Sequence, residues 1–356
     1  MSKSKIKVHV VEDSLVVQQL LVNILESDPD IKVVGVSESA EHALECIQAL
    51  KPDLITVDIQ LPKMNGLALT QEIMSRDPIP IVVVSGVSEK KDVAKAFDLI
   101  EAGALAAIEK PVGFGHADYQ RLAQHFISTV KTMSEVKLVK RRIPLTHKKI
   151  KEHQNQAIIP VKSQYEIVVI GASTGGPSVI QTVLKDLPDN FPLPIIIAQH
   201  IAPGFLSGLV QWLARTTGKA VEIAQEREKL KAGTVYLCPE GRQTGFATRQ
   251  TLKIIQFDHP SNLAPSVSYL FQSTSEVFGK KAVAVLLTGM GQDGANEMRL
   301  IKDKGGMTIA QDAESSVVHG MPGEAIKMGA VDKDAILPAC KIGLRLKELA
   351  QFQMVQ

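Results

Sequence analysis

Short runs of β-branched and other apolar residues recur along the first third of the chain, with room for one helix between each pair. Residues 8–11, 33–36, 54–57, 81–84 and 105–108 read as five buried strands. Between them lie helical patterns, such as residues 15–25, with Leu20, Leu21, Ile24 and Leu25 on one face, and residues 41–50. Alternation of this kind demands βαβ units with right-handed crossovers, so the fold class is α/β with a doubly wound parallel sheet of the (βα)5 type. Ligands of such sheets collect outside the carboxyl ends of the strands.

Polar residues occupy those ends. Glu12 and Asp13 follow the first strand, Asp58 the third, Ser85 the fourth, and Lys110 with Pro111 the fifth. Three carboxylates converging in one crevice repel one another unless a cation intervenes, and an all-oxygen set suits Mg²⁺. Glu12, Asp13 and Asp58 would hold the metal, with the carbonyl of Gln60 as a further ligand. Asp13 alone could be a helix cap. The set is harder to explain that way, because Lys110 and Ser85 stand where a phosphoryl group could be held.

The segments V-E-D-S, L-I-T-V-D-I-Q-L-P-K-M-N-G and E-K-P, within about residues 5–125, resemble a response-regulator receiver domain. The resemblance implies that Asp58 accepts a phosphoryl group from a histidine kinase. It also implies that Mg²⁺ neutralises charge at the transition state, and that Lys110 and Ser85 sense the product. Glu12 departs from the aspartate usual at its position, and Ala107 stands where many receivers carry a switching aromatic ring.

Residues 126–164 read as a basic linker. Between residues 131 and 153 there are eight Lys or Arg against two Glu, including Lys140, Arg141, Arg142, Lys148, Lys149 and Lys151. Such a run is a solvated tether. It is short and has no helix-turn-helix beside it, which disfavours nucleic-acid binding. The whole chain argues the same way, since a net charge of +2 gives no strong field for polyanions and aromatics are only 4%, with the single Trp212. Cys46, Cys238 and Cys340 are too far apart in sequence for a C-x-x-C pair or a zinc cluster, so reduced thiols are expected. The first seven residues lack the apolar core of a signal peptide, and no apolar run approaches eighteen residues. A cytoplasmic protein without membrane insertion is expected, and a monomer.

The second half, residues 165–352, alternates again. The stretch E-I-V-V-I-G-A-S-T-G-G, residues 166–176, reads as a strand that breaks at Ser173, with Pro177 in the first turn of a helix over 178–187. A hydroxyl at a strand-to-helix turn stands clear of the sheet, and the amides of the turn can receive an anion. A plain glycine turn or a nucleotide phosphate loop would use similar residues. However, G-x-G-x-x-G is not matched and no Lys follows the glycines. A strand over 193–198 runs into Gln199 and His200, with a helix over 204–214 beyond it. A β-rich stretch covers 234–238 and 252–257, a helix 266–278, and a strand 282–287 runs into T-G-M-G-Q-D-G.

Ser173, His200 and Asp293 each lie beyond the end of a strand. If those strands are neighbours, the three converge as a Ser-His-Asp arrangement for acyl transfer. Separately, His200 reads as a capping residue and Asp293 as a turn former. His319 is a rival base, while His9 reads as packed or half exposed.

The segments I-G-A-S-T-G-G, A-Q-H-I-A-P-G-F, L-L-T-G-M-G-Q-D-G and Q-D-A-E-S-S-V-V-H-G-M-P-G-E-A resemble the catalytic domain of the chemotaxis protein-glutamate methylesterase (CheB) family. The resemblance implies Ser173 as nucleophile, His200 as general base and acid, and Asp293 as the residue orienting His200. Amides near Thr174 and of Met290 would be the oxyanion donors. It further implies hydrolysis of γ-methyl esters of glutamyl side chains on methylated chemoreceptor cytoplasmic domains, releasing methanol. Deamidation of glutamines would follow the same route, with no cofactor at this site and a chemotaxis histidine kinase as phosphodonor. Gln243, Ser268 and His319 depart from the family pattern, and the first two leave open a phosphorylation-controlled binding module with a vestigial hydrolase site. The simplest reason to join the halves is a receiver that covers the edge bearing Ser173.

Overall fold

A computed structural model of the chain describes residues 4–86, 90–136, 138, 163–256 and 263–350. The basic residues Lys140, Arg141, Arg142, Lys148, Lys149 and Lys151 of the expected linker lie outside the described residues, as does Phe257.

The first half folds as β1 (Ile6–Val11), α1 (Leu15–Glu26), β2 (Ile31–Ser37), α2 (Ala40–Leu50), β3 (Leu54–Val57), α3 (Gly66–Arg76), β4 (Ile81–Ser85), α4 (Lys90–Ala102), β5 (Ala106–Glu109) and α5 (Tyr119–Ser134). Its five strands are parallel in the order β2-β1-β3-β4-β5. Every residue of β3 and β4 is buried, as continuous β-branched runs require when helices cover both faces of a sheet.

The expected linker start at residue 126 falls inside α5. Phe126, Val130 and Met133 are spaced along one helical face and are fully buried, so this helix continues through Ser134 as part of the first domain's core.

His9 is not half exposed but wholly buried in β1. Its Nε2 meets the Ser37 hydroxyl at 2.9 Å, and its Nδ1 has no partner among the described residues. Burial, aided by the charge of His42, lowers its pKa to about 4. The unfolded chain titrates near the ordinary histidine value of about 6.5. Below that pH the unfolded state alone takes up the proton, so stability is lost as pH falls from about 6.5 to about 4. The loss is expected to be on the order of 3 kcal/mol by the bottom of this window. Urea unfolding at neutral and mildly acid pH should show a smaller acid loss in His9→Gln than in the wild type.

The second half runs β6 (Ile167–Ala172), α6 (Gly176–Lys185), β7 (Ile195–Gln199), α7 (Leu206–Thr217), β8 (Ala220–Ile223), β9 (Thr234–Leu237), β10 (Arg242–Thr248), β11 (Thr251–Gln256) and α8 (Val267–Val277). It continues with β12 (Ala282–Leu286), α9 (Ala295–Asp303), β13 (Met307–Gln311), α10 (Met321–Lys327), β14 (Ile336–Leu337) and α11 (Ala339–Ala350). Seven parallel strands take the order β14-β13-β12-β6-β7-β9-β8, and β10 with β11 forms a separate antiparallel hairpin. Helices α6, α7 and α11 pack one face of the sheet, and α8, α9 and α10 the other.

Strand β6 lies at the centre, between β12 and β7, where the winding reverses. Ala172 pairs with Gln199, and Gly171 with Leu286, so the three strands end level with one another. The residues that follow them emerge on one edge, at a topological switch point. Helix α6 begins at Gly176, two residues earlier than the spacing predicts. Gly175 takes φ +77°, which turns the chain within one residue and leaves Pro177 in the first turn.

The two domains share an apolar seam made by α4 on α7. The Phe97 ring stacks on Trp212 with centroids 5.6 Å apart and meets Phe205 edge-on at 6.5 Å. Trp212 Nε1 donates to Glu101 at 3.4 Å, and Arg215 pairs with Asp98. Gly208 packs so closely on α4 that a Cβ there would lie 2.4 Å from the Val93 side chain. Val317 and Val318, in the loop after β13, rest against the first domain's core. No helix among the described residues is long and apolar enough to cross a membrane.

Candidate active site

Ser173, His200 and Asp293 come together at the carboxyl ends of β6, β7 and β12. His200 Nε2 donates to Asp293 Oδ2 at 2.8 Å, and the His200 amide donates to the Ala172 carbonyl at 3.0 Å. The residue after β7 is thereby tied beside the residue after β6. Ser173 and His200 line one cleft of about 300 Å³. Among the described residues no hydrogen bond links the Ser173 hydroxyl to the imidazole. With Nε2 held by Asp293, Nδ1 is the ring nitrogen left free to accept a proton. Such contacts are often long before substrate binds and tighten in the complex.

Asp293 sits on the N-terminus of α8. Its Oδ1 accepts from the Ser266 hydroxyl at 3.0 Å and the Ser268 amide at 2.9 Å, while Oδ2 accepts from the Val267 amide at 2.7 Å. The first turn of a helix presents unpaired amides and a partial positive charge, so it favours a carboxylate. Burial by itself pushes the Asp293 carboxyl up. The hydrogen bond and charge of His200, with donors from Ser268, outweigh burial and hold the group well below the usual carboxylate range. The carboxylate therefore stays ionised and fixes the Nε2 proton of His200.

The positions that depart from the family pattern have structural work in this seat. Gln243 is buried in β10, donates to the Leu263 carbonyl at 2.7 Å and accepts from the Ser266 amide at 2.8 Å. It fixes the loop that caps α8. The Ser268 hydroxyl accepts from the Gly294 amide at 2.8 Å, bracing the turn that carries Asp293. His319, which the sequence offers as a rival base, has its Nε2 at 3.2 Å from the Gln311 carbonyl.

Two loops supply backbone amides beside the serine. Among the described residues, the amides of Thr174 and Met290 donate to no other group. The Thr174 carbonyl is held by the Thr288 hydroxyl at 2.9 Å, and the Ser173 amide donates to the Thr288 carbonyl at 3.0 Å. Thr288 is itself held through its amide by Gln311 Oε1 at 2.8 Å. Sequence reasoning missed Gln199, Ser266, Thr288 and Gln311. Gln199, Thr288 and Gln311 lie within the quoted motifs, but a buried hydrogen-bond partner has no signature in one sequence.

The first domain walls the other side of the cleft with Leu105, Ile108, Leu122 and Thr129. The Thr132 hydroxyl reaches the Met290 sulfur at 3.8 Å, so α5 touches the loop that bears the Met290 amide.

A second pocket, of about 220 Å³, lies at the carboxyl edge of the first sheet and is lined by Glu12, Asp13, Asp58, Gln60, Ser85 and Lys110. Ligand oxygens of Glu12, Asp13 and Asp58 lie within 4.8 Å of one another, an acidic cluster able to hold a metal ion. Glu12 and Asp58 are buried and Asp13 is exposed. Lys110 Nζ bridges the two buried carboxylates, at 2.9 Å from Glu12 Oε2 and 2.9 Å from Asp58 Oδ2. Burial pushes both carboxyls up against the pull of Lys110. Burial also disfavours the Lys110 ammonium, but its bonds to Glu12 and Asp58 outweigh that and raise its pKa. The Ser85 hydroxyl donates to the Gly86 carbonyl at 3.1 Å.

Comparison with known proteins bears on both sites. Residues 8–117 match the response regulator receiver domain, and residues 168–346 match the CheB methylesterase family. This chain belongs to the CheB methylesterase family. It is 45% identical over 345 residues to the protein-glutamate methylesterase/protein-glutamine glutaminase of Nitrosospira multiformis, covering 97% of each chain. The protein-glutamate methylesterase/protein-glutamine glutaminase 1 of Syntrophus aciditrophicus is 46% identical over 347 residues, covering 97% of this chain and 98% of its own. The crystal structure of the Thermotoga maritima CheB methylesterase catalytic domain is 39% identical, covering 52% of this chain and 98% of that one, with a TM-score of 0.49.

Proposed function

We propose that this protein is a phosphorylation-activated protein-glutamate methylesterase and protein-glutamine deamidase of the cytoplasm, acting through Ser173, His200 and Asp293. Its substrates are methylated chemoreceptor cytoplasmic domains, and a chemotaxis histidine kinase is the phosphodonor. The observation that carries the reading is the 2.8 Å bond from His200 to Asp293, at the end of a strand paired with the one that presents Ser173.

Ser173 Oγ attacks the ester carbonyl carbon while its proton passes to His200 Nδ1. Asp293 on Nε2 holds the ring in the tautomer with Nδ1 free and stabilises the imidazolium that forms. Negative charge on the carbonyl oxygen is met by the Thr174 and Met290 amides, a type of contact whose loss costs about 10²–10³-fold in rate. The C–O bond to the methoxy group breaks, and His200 returns the proton so that methanol leaves. Water then attacks the acyl-serine with loss of its proton to His200, and the glutamate carboxyl is released with Ser173 restored. A glutamine side chain follows the same path with ammonia as the leaving group.

In the receiver, Asp58 accepts the phosphoryl group. Three carboxylates, two of them paired with Lys110, fit Mg²⁺, which Glu12, Asp13 and Asp58 would hold together with the Gln60 carbonyl. Bound there, the ion neutralises charge on the transferring phosphoryl group. Lys110 and Ser85, which line the same pocket as Asp58, sense the product. Because α4 and α5 of this domain wall the cleft of Ser173, phosphorylation acts by loosening that packing. The test is methanol release from methylated receptor domains with and without acetyl phosphate. The expected result is stimulation of the wild type and none of Asp58→Asn, whose unstimulated rate should match that of the unphosphorylated wild type. Equal stimulation of both would contradict the assignment of Asp58.

A further inference from the structure

Gln199 closes β7 and turns its side chain across the ends of two strands. It is only 3% exposed, and its Nε2 donates to the Ser173 carbonyl at 2.8 Å and to the His200 carbonyl at 2.7 Å. Both partners are acceptors, so only the amide nitrogen can face them, and the orientation of the side chain is forced. Its Oε1 is buried without a partner among the described residues. An apolar side chain of the same length would take the amide donor away from the Ser173 and His200 carbonyls. The fold also makes room for the glutamine: a Cβ on Gly176 would lie 2.1 Å from Gln199 Oε1.

We infer that Gln199 is a positioning residue, whose two donated hydrogen bonds set the separation of Ser173 and His200. The inference rests on the reading of those two residues as nucleophile and base. Strand pairing ends at Ala172 and Gln199, and the His200 amide holds the Ala172 carbonyl. Beyond that point the Gln199 side chain carries the link one residue further on both strands, past the end of the ladder. The two reacting residues thus share one amide group as a common anchor. Thr288 anchors the same serine turn from the β12 side, so the nucleophile is fixed laterally between two clamps.

The test compares methanol release by the full-length wild type, Ser173→Ala, Gln199→Met and Gln199→Glu, each with phosphodonor and each checked by thermal melting. Methionine keeps the length but donates nothing. A glutamic acid side chain donates one hydrogen bond only when protonated, and burial against two carbonyl oxygens favours that form. For Gln199→Met the expected loss is about 10²-fold in kcat. KM should stay within about twofold. The activity of Gln199→Glu relative to wild type at the same pH should rise as the pH is lowered from about 8 to about 5.5. A residue with a merely structural role would lower the melting temperature and give a ratio independent of pH.

A kcat within about threefold of wild type in folded Gln199→Met, or a loss confined to KM, overturns the inference while the esterase reading stands. If Gln199→Met does not fold, the pH dependence of the Gln199→Glu ratio decides alone, and a flat ratio overturns it. Methanol release by the wild type no greater than by Ser173→Ala removes the esterase reading and the inference with it.

Discussion

Asp293→Asn is expected to lower kcat for methyl-ester hydrolysis by about 10⁴-fold while leaving the protein folded. The carboxylate receives donors from the Ser266 hydroxyl, the Val267 and Ser268 amides and His200 Nε2, and both of its oxygens are used. An asparagine offers one acceptor and two hydrogens to a site that supplies only donors. If its NH₂ turns to His200, the ring must present a lone pair at Nε2 and carry its proton on Nδ1, where the base is needed. The serine then has nothing to accept its proton. Steady-state methanol release with a matched thermal melt checks this, and a loss under about tenfold would contradict the role given to Asp293.

Gly208→Gln is expected to do the opposite and raise the rate without a phosphodonor. A side chain at 208 collides with Val93 in the seam between α7 and α4. Overpacking of this kind costs about 1–3 kcal/mol. Separation of the two domains relieves it, because the α4 packed on that glycine then moves away. A bias of that size shifts a two-state equilibrium by about 5–150-fold, which sets the range of the expected rise in basal methanol release. Full conversion from 1:99 to 99:1 takes about 5.5 kcal/mol, so phosphorylation should still add to the rate of the variant. Trp212, the single tryptophan, is stacked on Phe97 in this seam, and its emission should shift with the activity. An unchanged or lower basal rate in a folded variant would rule out the receiver as a cover.

Most of the fold was legible because parallel strands covered on both faces must be continuous apolar runs, and these runs are bounded by the polar residues of the sites. The apolar run 54–57 predicts a strand, and β3 is Leu54–Val57. The early start of α6 was not legible, because a glycine that turns the chain in one residue looks like any glycine of a loop. Nor was the length of α5, since Lys131 and the basic run after it masked the spacing of Phe126, Val130 and Met133.

Sequence motifs brought Ser173, His200 and Asp293 forward, and the parallel register of β6, β7 and β12 explains why residues so far apart in sequence meet. What holds them in place depends on contacts between distant elements. Gln243 and Ser268 stood out only as departures of unknown consequence, yet one fixes the cap of α8 and the other the turn of Asp293. The seat of that carboxylate on a helix N-terminus could not be read from either segment alone. Ala107 remained a departure as well.

The central claim is that the Ser173 hydroxyl is the attacking group. The direct measurement is methanol release from methylated chemoreceptor cytoplasmic domains by phosphorylated wild type and Ser173→Ala. Steady release by the wild type, with a fall of about 10⁴-fold or more in the variant, is the predicted result. Equal release by both proteins would contradict it.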